Sequence, residues 1–303
     1  MFPIDLTGKI AVVTGASGQL GRVLARTLAR GGADVALHYF RHPDAAWSLC
    51  EELQALGVRG MMVQADVTQP ESIQAMRAAI MRTLGAPHIL VTNAVIQYQP
   101  WTSVLEQPMA DYESQFRASV LQNVLMAQAF VPEMIRHRYG RFIAISTECV
   151  MQHLPGQSAY VAGKRGMDGV LRVLAKEIGP YQITVNQVAP GWTITEQVRR
   201  AGTQRQDAYE AAVPLKRRGD DQEIANVVAF LASDLASYIT GAYIPVCGGN
   251  VMPAIRAETA LSAGMHPHNR RSAGRGHATW RGRPRSEPDP RRRGRHRKPA
   301  RWG

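Results

Sequence analysis

A chain of 303 residues with 45% hydrophobic content can bury one large core or two small ones. Its formal charge of +12 points toward nucleic acid until the charge is located: residues 254–303 hold 14 Lys and Arg against three acidic residues, leaving 22 basic and 21 acidic residues in 1–253. Cys50, Cys149 and Cys247 are odd in number and form no C-x-x-C pair, so they read as free thiols in a reducing compartment and not as a disulfide framework. The first ten residues lack a basic region followed by a long apolar run, and no uncharged apolar stretch reaches the roughly 18 residues of a membrane span. A cytoplasmic protein is expected.

Lys9 to Thr14 is a short apolar, β-branched run that ends in Gly15-Ala16-Ser17-Gly18, and helical spacing follows from Gln19 to Gly31. Asp34 to Phe40 reads as a second strand, followed by Pro43 and a helix to Leu56. Arg59 to Ala65 is a third strand, Pro70 to Leu84 a helix and His88 to Thr92 a fourth strand. One long helix is expected over Asp111 to His137. A fifth strand spans Arg141 to Ser146, a helical run Gly156 to Glu177, and a sixth strand Ile183 to Val188. Helices around Thr195–Ala212 and Asp221–Leu235 precede a last strand, Ala242 to Val246. Strands alternating with helices imply βαβ units and a parallel sheet covered on both faces. The expected fold class is α/β: a single doubly wound, Rossmann-type domain over 1–253, with about seven strands and ligands at their carboxyl ends. Residues 254–303 are rich in Arg, Pro, Gly and His and nearly lack branched aliphatics, so a disordered basic tail is expected there.

Two stretches carry chemistry. Tyr160 and Lys164 are four apart on a predicted helix and so share a face. A phenol is a poor base at neutral pH, but a neighbouring ammonium favours its ionised form, which makes the pair a candidate acid/base group. The turn Thr14-Gly15-Ala16-Ser17-Gly18-Gln19-Leu20-Gly21 lies between a strand and a helix, where backbone amides and small residues suit a pyrophosphate.

Taken together, these stretches resemble the short-chain dehydrogenase/reductase family. Its T-G-x-x-x-G-x-G turn is matched by Thr14, Gly15 and Gly21, with Gln19 at the middle glycine and Gly18 one place early. Asp66-Val67 follows the third strand, where the family binds adenine. Thr92-Asn93-Ala94-Val95 stands for its N-N-A-G, matching at Asn93 and Ala94. Pro190-Gly191-Trp192-Thr193-Ile194-Thr195 matches P-G-x-x-x-T, which holds the nicotinamide amide, and Pro214 to Gly249 resembles the C-terminal signature. The resemblance covers about residues 4–252.

Each role follows from that resemblance, position by position. Tyr160 is the general acid/base, and Lys164 tunes it and holds the nicotinamide ribose. The family's serine, 13 residues before the tyrosine, is Thr147, and its relay asparagine is Ser119. Ser146, adjacent in the strand, is expected on the other face. Asn123 lies one turn beyond Ser119 and could reach a neighbouring position. Val95 replaces a glycine near the cofactor, and Cys247 replaces an aspartate of the last strand. At the end of the second strand Tyr39 occupies the place of the acidic residue typical of NAD users. Arg41 lies two places on and His38 just before, a run similar to the pteridine reductase branch. A guanidinium pairs with a 2′-phosphate in fork geometry, so NADP(H) is the expected cofactor.

The expected activity is hydride transfer between NADP(H) and a ketone or secondary alcohol. Two alternatives remain open: an NADP(H)-binding protein with weak or no catalysis, and a 3-oxoacyl-acyl carrier protein reductase. Relatives of the latter kind dock their carrier through two basic positions; Arg138 matches one and Tyr181 stands at the other. The substrate pocket is expected to be lined by Gln97 to Pro100, Cys149 to Leu154 and Trp192 to Ala212, with Trp101 nearby, which suits an apolar or ring-bearing carbonyl compound. The resemblance also implies a homo-tetramer or homo-dimer. Nucleic acid is a partner only through non-specific phosphate contacts of the 254–303 tail.

Overall fold

The computed structural model describes residues 4–96, 100–202 and 206–252; the basic tail expected at 254–303 lies outside the described residues. In chain order the elements are β1 (Ile10–Val13), α1 (Gln19–Arg30), β2 (Asp34–Tyr39), α2 (Pro43–Ala55), β3 (Gly60–Gln64), α3 (Pro70–Thr83), β4 (Ile89–Thr92) and α4 (Met109–Gln115). A π-helical turn, Phe116–Leu121, leads into α5 (Gln122–His137). Then come β5 (Gly140–Ile145), α6 (Cys149–Gln152), α7 (Ser158–Ile178), β6 (Ile183–Pro190), β7 (Thr193–Ile194), α8 (Glu196–Arg200), α9 (Asp207–Ala212), β8 (Gly219–Asp220), α10 (Asp221–Ala232) and β9 (Tyr243–Val246).

Among the described residues, seven strands form one parallel sheet in the order β3-β2-β1-β4-β5-β6-β9, and β7 pairs with β8. The direction of winding reverses between β1 and β4, which opens a crevice above their carboxyl ends. Strand alternation sorts the core into two layers. Ala11, Val13, Ile89 and Val91 face Leu24 and Leu28 of α1 and Ile224 and Val228 of α10. Val12, Leu90 and Phe142 face Ile73 of α3, Phe130 of α5 and Leu171 of α7. Leu24 and Leu28 are fully buried, each stabilising the docked helix by about 1.5–3 kcal/mol. Proline at the first turn fixes the starts of α2 and α3, and a reciprocal capping box between Asp220 and Glu223 starts α10.

One expected helix runs through a π-helical turn and another is split. The run Asp111 to His137 is α4, the π-helical turn and α5, because one extra residue per turn is accommodated at 116–121. That turn packs on α7, where a side chain at Gly163 would come within 2.8 Å of the Gln115 carbonyl and one at Gly166 within 2.8 Å of Val120. The run Thr195 to Ala212 contains α8 and α9, with Gly202 between them at φ +84°.

Candidate active site

The glycine turn is built by its neighbours. Gly15 adopts φ +65°, donates its N–H to His38 Nδ1 at 2.9 Å, and lies where a Cβ would be 3.1 Å from Ala94 Cα. Thr14 Oγ1 accepts the N–H groups of Asn93 (2.9 Å) and Ala94 (3.0 Å), and Asn93 Nδ2 donates to the Thr14 carbonyl at 3.0 Å. The end of β1 is thus tied to the end of β4. The N-terminus of α1 carries no side-chain cap and no acidic residue in its first turn, which suits an anion.

His38 is buried, and both ring nitrogens are engaged. Nδ1 accepts from Gly15, so Nε2 donates to the Ala65 carbonyl at 3.0 Å. Burial lowers its pKa below the usual histidine value. The ring therefore buttresses the turn and offers no free donor to a phosphate. Arg41 lies exposed at the groove edge, with its guanidinium carbon 5.0 Å from the Phe40 ring centroid and no carboxylate partner among the described residues. Asp66 accepts from Thr68 N (2.9 Å) and Thr68 Oγ1 (2.7 Å), which fixes the loop after β3.

On the other side of the switch point, α7 presents Tyr160 and Lys164. Lys164 is buried, donates Nζ–H to the Ile145 carbonyl at 2.7 Å, and has its pKa pushed down to about 8 by burial. Thr147, just past β5, accepts from Cys149 N at 3.2 Å, and its carbonyl accepts from the Tyr243 hydroxyl at 2.6 Å. Burial raises the Cys149 thiol above the usual cysteine range, so it is protonated at neutral pH.

One groove of about 1040 Å³ is bordered by Gly15, Ser17, Gln19, Leu20, Gly21, His38, Arg41, Asp66, Val67, Asn93, Ala94, Thr147, Tyr160, Lys164, Pro190, Gly191, Thr193 and Thr195. Ser119, buried in the π-helical turn, is not among its lining residues; its hydroxyl has no partner among the described residues. The Ser119 carbonyl accepts Asn123 Nδ2 at 2.7 Å, and Asn123 Oδ1 accepts Thr92 Oγ1 at 2.7 Å. Asn123 is thus a bridge between β4 and α5, not the site residue its spacing allowed. Ser146 also borders the groove, because β5 ends at Ile145 and strand alternation stops there.

A second cavity, about 680 Å³, adjoins the groove, and Val95 and Tyr160 border both. Cys149, Gln152, Leu154, Trp101 and Trp192 line it as the pocket assignment expects, whereas Gln97, Tyr98 and Gln99 lie outside the described residues. Glu148 and Gln122 were not singled out by the sequence. Glu148 follows Thr147 in the cavity wall; Gln122 borders the groove with Oε1 buried and without a partner among the described residues. A carboxylate three residues past a buried strand is the one signal that could have marked Glu148.

The α8 segment roofs the groove. Gln19 Oε1 accepts Gln197 N at 3.0 Å, Glu196 lies 3.3 Å from Arg22, and Arg199 pairs with Asp220 (3.0 Å) and Asp221 (2.8 Å). Gln19, at the place of a glycine, thereby links the turn to its roof.

A crevice at the switch point of a doubly wound sheet, with a glycine turn on one wall and a Tyr-x-x-x-Lys helix on the other, defines a dinucleotide-type site. The chain belongs to the short-chain dehydrogenase/reductase family: the family profile described as enoyl-(acyl carrier protein) reductase matches residues 15–250. A 3-oxoacyl-(acyl-carrier-protein) reductase of Staphylococcus epidermidis is 36% identical over 244 residues, covering 80% of this chain and 99% of that protein. A blue fluorescent protein from a metagenomic library, solved with NADPH, superposes with TM-score 0.74 at 32% identity over 82% of this chain and 100% of its own. A 7α-hydroxysteroid dehydrogenase, solved with NADH and 7-oxo glycochenodeoxycholic acid, gives TM-score 0.75 at 28% identity over 84% and 99%.

Proposed function

We propose that the protein is an NADP(H)-dependent oxidoreductase that interconverts a ketone and a secondary alcohol, with Tyr160 as its general acid/base. The observation that carries this reading is the position of Tyr160, with Thr147, on the shared border of the nucleotide groove and the apolar cavity, where a bound cofactor and substrate would meet.

The groove fits a dinucleotide. A Cβ at Gly21 would lie 2.1 Å from the Gly15 carbonyl oxygen, so the first turn of α1 packs directly on the glycine turn, and both border the groove. Gly15, Ser17, Gln19, Leu20 and Gly21 would hold the pyrophosphate, Asp66 and Val67 the adenine, and Asn93, Ala94 and Lys164 the ribose side. Pro190, Gly191, Thr193 and Thr195 would hold the nicotinamide, and Arg41 a 2′-phosphate. When bound, such a cofactor supplies or accepts the hydride. The protein's own part is proton transfer and orientation. The Thr147 hydroxyl accepts from Cys149 N, which leaves its proton for the substrate carbonyl oxygen. Tyr160 delivers the proton to that oxygen, and the Lys164 ammonium favours the phenolate left behind. Ser119 stands in for the relay asparagine, with its carbonyl already taken by Asn123, which supports slow proton return.

Tyr160→Phe is expected to retain NADPH binding and lose turnover by ~10²–10⁴-fold in an NADPH-linked ketone screen. Unchanged turnover refutes the role; cofactor binding without turnover in the wild type favours the non-catalytic alternative. The carrier-protein reading draws on the Staphylococcus relative. Against it, Tyr181 is exposed at the second docking position, and Arg138 Nη2 donates to the Pro180 carbonyl at 3.0 Å. Comparing free ketones with 3-oxoacyl carrier-protein substrates separates the two. A homo-oligomer fits the exposed Val173 and Tyr181, and light scattering reads it directly.

A further inference from the structure

Proton chemistry at Tyr160 leaves Glu148 without a role. Its residue is 3% exposed and borders the substrate-side cavity. Oε1 accepts the Tyr209 hydroxyl at 2.8 Å and Oε2 accepts Asn250 Nδ2 at 3.0 Å, so each oxygen has one neutral donor. Tyr209 Oη in turn accepts Trp192 N–H at 2.9 Å, and a side chain at Gly191 would lie 2.7 Å from that oxygen. Gly191 thus leaves room for the hydroxyl that reaches across to Glu148. Burial and the Glu148 bond raise the Tyr209 pKa, so the phenol stays protonated and serves as a donor.

No ion pair of Glu148 exists among the described residues, and the described lining of the cavity includes no Lys, Arg or His. A buried carboxylate held by neutral donors alone keeps most of its field, because its surroundings screen it weakly. Each oxygen has a further lone pair beyond the one in use. Around it stand Trp101, Trp192 and Tyr209, the last two edge-to-face with centroids 5.5 Å apart. The Arg218 guanidinium lies 5.8 Å from the Trp192 ring centroid and pairs with Glu210 at 3.4 Å, not with Glu148. A carboxylate with no cationic partner among the described residues, beside aromatic rings in an apolar cavity, is the chemistry that recognises an organic cation.

We propose that Glu148 is the specificity-determining group of this cavity: it selects carbonyl substrates that carry a protonated amine and rejects those that carry a carboxylate. This rests on the reductase reading above. Tyr209 and Asn250 hold the carboxylate in place through Oε1 and Oε2, and Trp101 and Trp192 line the same cavity.

The test uses three ring ketones that differ in one substituent: an ammonium, a hydroxymethyl or a carboxylate group. Their kcat/KM values are measured with NADPH for the wild type and Glu148→Gln, and binding of the three matching alcohols is followed by quenching of tryptophan fluorescence. The wild type is expected to favour the ammonium ketone over the carboxylate ketone by on the order of 100-fold. That ratio is expected to collapse to less than about tenfold in the variant. A wild type that reduces the carboxylate ketone as well as the ammonium one overturns the proposal, whether or not the variant folds. So does an unchanged ratio in a folded variant. A variant that shifts the NADP⁺ to NADPH affinity ratio and leaves the substrate ratio alone assigns the carboxylate to the cofactor ring and also overturns it. Preferential binding of the ammonium alcohol with no turnover of any ketone upholds the cation site and refutes the reductase reading instead.

Discussion

Consider a methyl group added at Gly21. It would lie 2.1 Å from the Gly15 carbonyl oxygen, 2.8 Å from the Gly15 carbonyl carbon and 2.9 Å from Ala16 Cα, where ordinary contact begins at 3.4 Å. All three atoms are backbone, and the turn is held by the Gly15 N–H bond to His38 and by Asn93 Nδ2 on the Thr14 carbonyl. Relief therefore requires moving α1 away from the turn or breaking those bonds. Overpacking costs about 1–3 kcal/mol and a lost hydrogen bond about 0.5–1.5 kcal/mol, against a gain in helix propensity of about 1 kcal/mol. Gly21→Ala is expected to lose about 1–3 kcal/mol in urea unfolding and to weaken NADPH binding in a fluorescence titration. Gly169→Ala is the control: it lies in α7 with nothing within 4 Å, and gains up to about 1 kcal/mol. If the two variants unfold at the same urea concentration, the close approach of α1 to the turn is wrong.

His38 is buried with a lowered pKa, so the folded ring stays neutral where the unfolded ring takes up a proton. Its contribution is complete above the unfolded value of about 6.5 and is lost as pH falls below it. Urea melts between pH 5 and 8 should show that loss in the wild type and a smaller one in His38→Asn; equal slopes contradict the buttress role. Arg41→Ala is expected to raise KM for NADPH by roughly 10- to 100-fold and leave NADH nearly unaffected. Equal effects on both cofactors remove the 2′-phosphate assignment. Cutting the chain after Pro253 is expected to spare turnover and abolish salt-dependent DNA binding in a titration; loss of turnover ties the tail to the enzyme.

The seven sheet strands were legible because burial on both faces writes them as continuous apolar runs, such as Ile10–Val13 and Ile89–Thr92. The two-residue β7 and β8 were not, since two residues carry no period. Nor was the π-helical turn: an i→i+5 insertion shifts the apolar face by a fraction of a turn, less than side-chain choice blurs it. Of the site residues, those fixed by backbone shape, such as Gly15 and Gly21, could be read from motif spacing. His38 could be placed but not interpreted, because its partners Gly15 and Ala65 are 23 and 27 residues away. Glu148 was hidden for the same reason: Tyr209 and Asn250 reach it from 61 and 102 positions along the chain.

Among the described residues, β9 is the last strand and lies at the sheet's edge. Pro190 pairs with Val246, and the Gly191 N–H bonds the Val246 carbonyl at 3.0 Å; Tyr243 holds the Thr147 carbonyl. During synthesis, the phosphate turn and the tyrosine helix emerge long before these partners exist. A nascent chain halted short of Tyr243 would carry the glycine turn and the Tyr160 helix but lack the partners of the Thr147 carbonyl and the Gly191 N–H. The loop after β5 and the loop after β6 therefore acquire their backbone partners only when β9 has been made.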